Sequence, residues 1–250
     1  MKKFLALYKV FLIDAFNDKF AFIYNLLFPA GFFLFSNWNR LFGTAKTLTS
    51  SQIMDHLLYY WAYIVFTTVL NSIIFVLINQ RETGYFKSLY FIAGSRRILL
   101  LTELAVQGTV LLAEIFCFDL VAFLVFHTFA ASVLFGSLFA ALLMLIPVTM
   151  FTTIFLVLRI KTQSMVVIST VTVFAAFSLV AVDASNVVGK FLLAMNPIQY
   201  LAQGFVLLGT FFHSNGGAPI MQFLIITLIY LAIGIWCLSK FDVNPIVDRA

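Results

Sequence analysis

The chain has 250 residues, of which 63% are apolar and 10% charged, with a mean hydropathy of +1.06 and a formal net charge of +5. That composition excludes an ordinary soluble globular domain, so water is not the main solvent of most of this surface. The positive balance does not point to nucleic acid, because the basic residues sit in short segments and at helix ends, where lipid head groups and the membrane orientation rule account for them.

In chain order, Lys2, Lys3, Lys9, Asp14, Asn17, Asp18 and Lys19 interrupt the first segment, and Phe4, Leu7, Tyr8, Phe11, Leu12, Ala15 and Phe16 recur in it at helical spacing. This predicts an amphipathic helix lying in the membrane interface rather than a signal peptide, whose apolar region would not be broken by charge. Six stretches long enough to span the hydrocarbon follow, over 20–36, 57–79, 98–126, 132–158, 162–182 and 219–239. The segments between them divide by charge. Lys2, Lys3, Lys9, Lys19, Arg81, Lys87, Arg96, Arg97, Arg159, Lys161, Lys240 and Arg249 fall on one set, and only Arg40, Lys46 and Lys190 on the other. The excess of Lys and Arg marks the cytoplasmic side, which puts both termini in the cytoplasm, as an even number of spans requires. The expected architecture is one all-α polytopic domain over 1–250, with no internal repeat and no linker, in a cell membrane and most naturally a bacterial one.

Three places in that pattern carry functional information. After the second span, residues 80–97 mix charge with a short amphipathic run, Tyr85 to Ala93, bounded by Gly84 and Gly94. A short helix between two turns is expected there, offering aromatic residues to another protein or lying on the head groups. The spans themselves hold few polar groups. Asn71 forms a patch with Thr67, Thr68 and Ser72 in the second span, while Glu103, Glu114 and Asp119 lie in the third. A charge near mid-membrane costs at least about 2.5–3.5 kcal/mol, so Glu114 should face a partner, a cavity or a dimer interior, or hold a proton. Glu103 is placed to pair with Arg96 or Arg97. Asp119 stands five residues beyond Glu114, about 140° around the helix, so the two carboxyls do not share a face. Asn71, Glu114 and Asp119 are the candidates for a translocation path, with interhelical hydrogen bonding as the structural alternative. Further on, residues 183–218 hold two apolar pieces, Val187 to Met195 and Ile198 to Phe212, divided by Asn196 and Pro197. A proline disfavours helix at the preceding residue, so a helix-break-helix hairpin dipping into the outer leaflet is expected.

The run Arg81-Glu82-Thr83-Gly84-Tyr85-Phe86-Lys87-Ser88-Leu89, followed by Ser95-Arg96-Arg97 and an apolar span, resembles the signature after the second span of ABC-transporter permeases of the type-2 exporter class. The resemblance extends over the chain, through the N-terminal elbow helix, the six spans and Asn196-Pro197-Ile198-Gln199-Tyr200, with Ala93-Gly94 where members of that family often carry proline. It implies that 80–97 is a cytoplasmic coupling loop, in which Arg81, Glu82, Gly84, Tyr85, Phe86, Lys87, Leu89, Arg96 and Arg97 serve docking of an ATP-binding subunit. It implies that the hairpin over 183–218, with Asn196, Pro197 and Tyr200, caps the exit on the extracellular side. The implied assembly pairs this chain with a second permease chain, identical or related, and with ATPase subunits that bind ATP and Mg, so the chain itself binds no cofactor.

No catalytic residue is assigned. His56, His127 and His213 are scattered, no metal-ligand spacing links Cys117 and Cys237, and Gly189-Lys190 lacks the glycine and hydroxyl of a phosphate-binding loop. The cargo expected from the 31 phenylalanines and the scarcity of fixed charge is hydrophobic or amphipathic: a peptide, lipid or drug. A stand-alone membrane immunity or binding protein and an ion-coupled carrier or channel are the readings from other classes.

Overall fold

Long apolar runs with no exposed backbone donors to spare fold in lipid as helices, since each amide must find its partner within its own segment. In the computed structural model all regular structure among the described residues (2–17, 19–42, 48–158, 160–182, 186–209 and 220–241) is helical. The helices are α1 (Lys2–Asn17), α2 (Lys19–Ser36), α3 (Trp38–Phe42) and α4 (Ser50–Thr67), which runs through a π-helical segment (Thr68–Ile74) into α5 (Phe75–Glu82). They continue as α6 (Tyr85–Ala93), α7 (Arg96–Phe126), α8 (Ala131–Thr152), α9 (Ile154–Val157), α10 (Thr162–Val180), α11 (Val187–Ala194), α12 (Pro197–Gly209) and α13 (Ile220–Lys240).

Five helical stretches are long and apolar enough to cross a membrane: Ser50–Glu82, Arg96–Phe126, Ala131–Val157, Thr162–Val180 and Ile220–Lys240. They coincide with the second to sixth expected spans, apart from shifts at the ends and a break at Thr153 between α8 and α9. The expected first span forms α2, but its described apolar part, Asn25–Ser36, is shorter than a span. The other route to six is the pair Val188–Ala194 and Pro197–Leu208, if that bent pair is one broken span.

The stretch Ser50–Glu82 is the axis of the bundle. Of its most apolar window 78% is buried, against 17% for α10 and 22% for α13, so the first is surrounded by protein and the other two form the rim. Helices α2, α7, α8 and α12 pack around it. Its start is set locally, where the Gln52 side-chain oxygen accepts the Thr49 amide at 3.1 Å, the returning half of a capping box. Helix α1 packs along α7 through Leu7 and Phe11, and Tyr8 shares a hydrogen bond with Thr109 at 2.8 Å. Phe16 is exposed with Leu5, Val10 and Ile13, so α1 is apolar on a second face besides the one that packs on α7. That follows from its composition: too few polar residues separate the apolar ones to leave a purely polar face.

The hairpin divides where expected. Pro197 is the first residue of α12, where its missing amide costs nothing, and the Asn196 side chain accepts the Ile198 amide at 3.2 Å. Axes of the two pieces differ by 81°.

Candidate functional site

Polar groups from three elements meet beside the π-helical segment. The Glu114 carboxylate of α7 accepts from Thr68 Oγ1 at 2.6 Å and from Asn25 Nδ2 of α2 at 3.5 Å. Asn71 Nδ2 donates in turn to Asn25 Oδ1 at 3.5 Å. Asn25, Thr68 and Glu114 are fully buried, whereas Asn71 is half-buried, so the network opens toward the surface only at Asn71. The widened turn explains how Thr68 and Asn71 reach different partners across the interface. Such bulges shift side chains out of the ordinary helical register, and they are frequent at functional positions. Thr67, from the same sequence patch, bonds only its own helix, to the carbonyls of Tyr63 and Ile64.

Asp119, the second path candidate, belongs to a different network. Trp61 Nε1 donates to it at 2.7 Å and Ser137 Oγ at 2.6 Å, tying α7 to α4 and α8 in a site that is fully closed. Replacing Trp61 by phenylalanine should remove one donor from a buried carboxyl and leave a cavity where the indole stood, lowering stability by about 1–3 kcal/mol for the lost bond and further for the cavity. Unfolding in mixed micelles would measure that loss. Glu103 does not pair with Arg96 or Arg97. It accepts from Gln107 Nε2 at 3.0 Å one turn along α7, while Arg96 Nη1 donates to the Phe241 carbonyl at 2.8 Å. The physical reason is depth, since Glu103 is buried two turns inside the helix from arginines that are exposed.

At the basic end, α6 is held between two glycines in the left-handed region, Gly84 and Gly94, both with φ of 75°, a backbone that residues with a Cβ adopt at a cost. Phe86, Leu89 and Ala93 point inward, while Tyr85, Lys87, Ser88, Phe91 and Ile92 face out. Arg97 is exposed as well. Arg81 and Glu82, assigned to the same docking surface, have internal partners. Arg81 is 4% exposed, and its Nη1 donates to the Leu156 carbonyl at 2.5 Å and its Nη2 to that of Leu158 at 3.4 Å. Glu82 accepts the Thr162 amide at 2.7 Å and the Thr162 hydroxyl at 2.5 Å. A cation thus meets the carbonyl end of α9 and an anion the amide end of α10, each complementing the helix dipole it faces. Phe241 closes the socket: Phe86 meets its ring edge-on at 5.4 Å, and Arg81 lies over it at 5.8 Å.

At the opposite end Asn196 Nδ2 donates to the Ala176 carbonyl of α10 at 2.6 Å, and Tyr230 Oη donates to the Met195 carbonyl at 2.6 Å. The broken backbone at the elbow is thus satisfied by the Tyr230 hydroxyl at the Met195 carbonyl and by the Asn196 side-chain oxygen at the Ile198 amide, while the Asn196 amide ties the elbow to α10. Tyr200 stacks on Phe223 with ring centroids 5.0 Å apart and shares a hydrogen bond with Thr227 at 2.8 Å.

Asn25, Trp61, Ser137, Thr162 and Phe241 escaped the sequence reading. Only Asn25, a lone amide in an apolar stretch, carries a local signal. Among the described residues no group of three His, Cys, Asp or Glu side chains could hold a metal ion. No protein-family model, no curated protein and no solved structure matches this chain.

Proposed function

We propose that the chain is the transmembrane subunit of an ATP-driven exporter of the ABC type-2 class, working with a second permease chain and separate ATP-binding subunits. In this reading α1 is the interfacial elbow, α2 the first of six spans, the α11–α12 elbow an extracellular cap, and both termini are cytoplasmic. The cargo is a hydrophobic or amphipathic molecule taken from the cytoplasm or inner leaflet. The observation that carries the proposal is α6: a nine-residue amphipathic helix set off by two left-handed glycines, with Tyr85, Ser88, Phe91 and Ile92 along its outer face. An outer face at positions 85, 88, 91 and 92, with Tyr85, Phe91 and Ile92 apolar and outside the apolar spans, suits an amphipathic helix seated in another protein's groove. Lys3 lies beside it, 4.0 Å from where a Cβ of residue 94 would stand.

Hydrolysis of ATP by the ATP-binding protein encoded beside this chain's gene tests the reading, measured in liposomes with and without the permease. Stimulation is expected, and Phe91→Asp with Ile92→Asp should reduce it about tenfold or more, the size of effect that loss of central apolar contacts produces. Both side chains are exposed, so the bundle itself should be spared. Absence of association with that ATPase would remove the proposal and favour a stand-alone binding protein.

A further inference from the structure

Helix α10 is fastened mainly at its ends. Val166, Val167, Val171, Phe174 and Leu179 are exposed along it, and only Met165, Ser169 and Ala176 are buried. At its first residue, Thr162 gives both its amide and its hydroxyl to Glu82. One turn before its other end, the Ala176 carbonyl accepts from Asn196. The hydroxyls of Ser169, Thr170 and Ser178 bond back to carbonyls of α10 itself. Among the described residues these two clasps are the hydrogen bonds that join α10 to other helices.

Between the clasps α10 lies against α5, α12 and the π-helical segment that carries Asn71. On the α4 side an aromatic row continues from it: Phe177 of α10 meets Tyr63 at 5.9 Å, and Tyr63 meets Phe28 of α2 at 5.4 Å. Helix contacts in lipid gain nothing from expelling water, so close packing and polar bonds decide what stays together. A helix with three buried side chains has little of the first and depends on the second.

We infer that α10 is a movable side wall over the Asn25–Thr68–Asn71–Glu114 network, which becomes a pocket when the wall leaves, and that it is held shut by two positioning pairs, Glu82 with Thr162 and Asn196 with Ala176. Swinging out on release of either pair, it opens the pocket sideways to the bilayer. The molecule that enters is an amphipath already dissolved in lipid, whose polar head reaches two amides, a hydroxyl and a carboxyl. That last assignment rests on the transport reading, whereas the movement of the wall does not.

The test is the rate at which a small water-soluble maleimide labels a thiol at the pocket mouth, Asn71→Cys, in full-length protein in nanodiscs with Cys117 and Cys237 replaced by serine. Glu82→Ala and Asn196→Ala should each raise the rate about tenfold, the population shift expected from losing a hydrogen bond to a buried or charged partner. Thr162→Val, which keeps the amide bond to Glu82, should give a smaller rise and guards against loss of fold in the other variants. Ser178→Ala, whose bond stays within α10, should leave the rate unchanged. Equal rates in all variants, or a rise as large in Ser178→Ala, would overturn the wall. Labelling needs neither ATP nor cargo, so flat rates would refute the wall with the exporter reading intact, and an absent ATPase would do the reverse.

Discussion

Gly234→Leu should prevent assembly of the bundle, and Gly234→Ala should lower its stability by about 1–3 kcal/mol, the cost typical of overpacking. Helix α13 approaches α8 so closely that a Cβ at position 234 would stand 2.4 Å from Met150 Cβ, 2.7 Å from its Sδ and 2.8 Å from its Cα. The last of these is backbone, which cannot swing aside, so one helix must move. Gly204 makes the informative comparison. A Cβ there would meet Met144 at its Cε, 2.5 Å away, and its Sδ, 2.6 Å away, the far end of a flexible side chain. Gly204→Ala should therefore cost less than Gly234→Ala, and Gly31→Ala, with nothing within 4 Å, should cost nothing from contact. Detergent-resistant monodispersity and unfolding in mixed micelles read the series. Equal losses at 204 and 234 would mean that α13 and α8 are not in the contact described.

The features legible in the sequence are those with short-range causes. Gly84 and Gly94 bracket α6, and Asn196-Pro197 breaks the hairpin, because a left-handed turn and a missing amide act on their immediate neighbours. The separation of Glu114 from Asp119 also follows from helical geometry alone, and they do join different networks. Partners were not legible. Thr162 lies 80 residues from Glu82 and Leu156 lies 75 from Arg81, and no rule of spacing connects them. Hence a charged pair that reads as solvent-facing in a loop turns out to fasten two other helices. The π-helical segment was equally hidden, since no residue type demands the extra residue in the turn. The segment lies against α7 and α8, with α2 and α10 beside it. The number of spans stays split for a physical reason as well: α2 carries Asn25 and Pro29 within its apolar length, and the bent pair beyond α10 is apolar enough to compete with it.

Glu114→Gln should preserve the fold and change what the protein carries, which separates the two roles open to that residue. Glutamine keeps an acceptor for Asn25 Nδ2, and its amide can donate to Thr68 Oγ1, whose own proton already has the Ile64 carbonyl 2.8 Å away. Every contact of the site remains a hydrogen bond, so the loss of stability should be smaller than for a substitution that removes the acceptor. Glu114→Leu instead orphans the Asn25 amide in a buried site and should cost about 1–3 kcal/mol. Cargo responds to a different property. Glu114 is the only acid in the network, which otherwise consists of amides and a hydroxyl. A cationic amphipath gains from that carboxyl in a medium that screens little, and its neutral analogue does not. Transport or binding of the cation should fall about tenfold or more in Glu114→Gln, equivalent to about 1.4 kcal/mol per decade, with the neutral analogue unaffected. Were both molecules handled as before, the carboxyl would be a structural acceptor like Asp119, and the pocket would select its occupant by shape and hydrogen bonding instead.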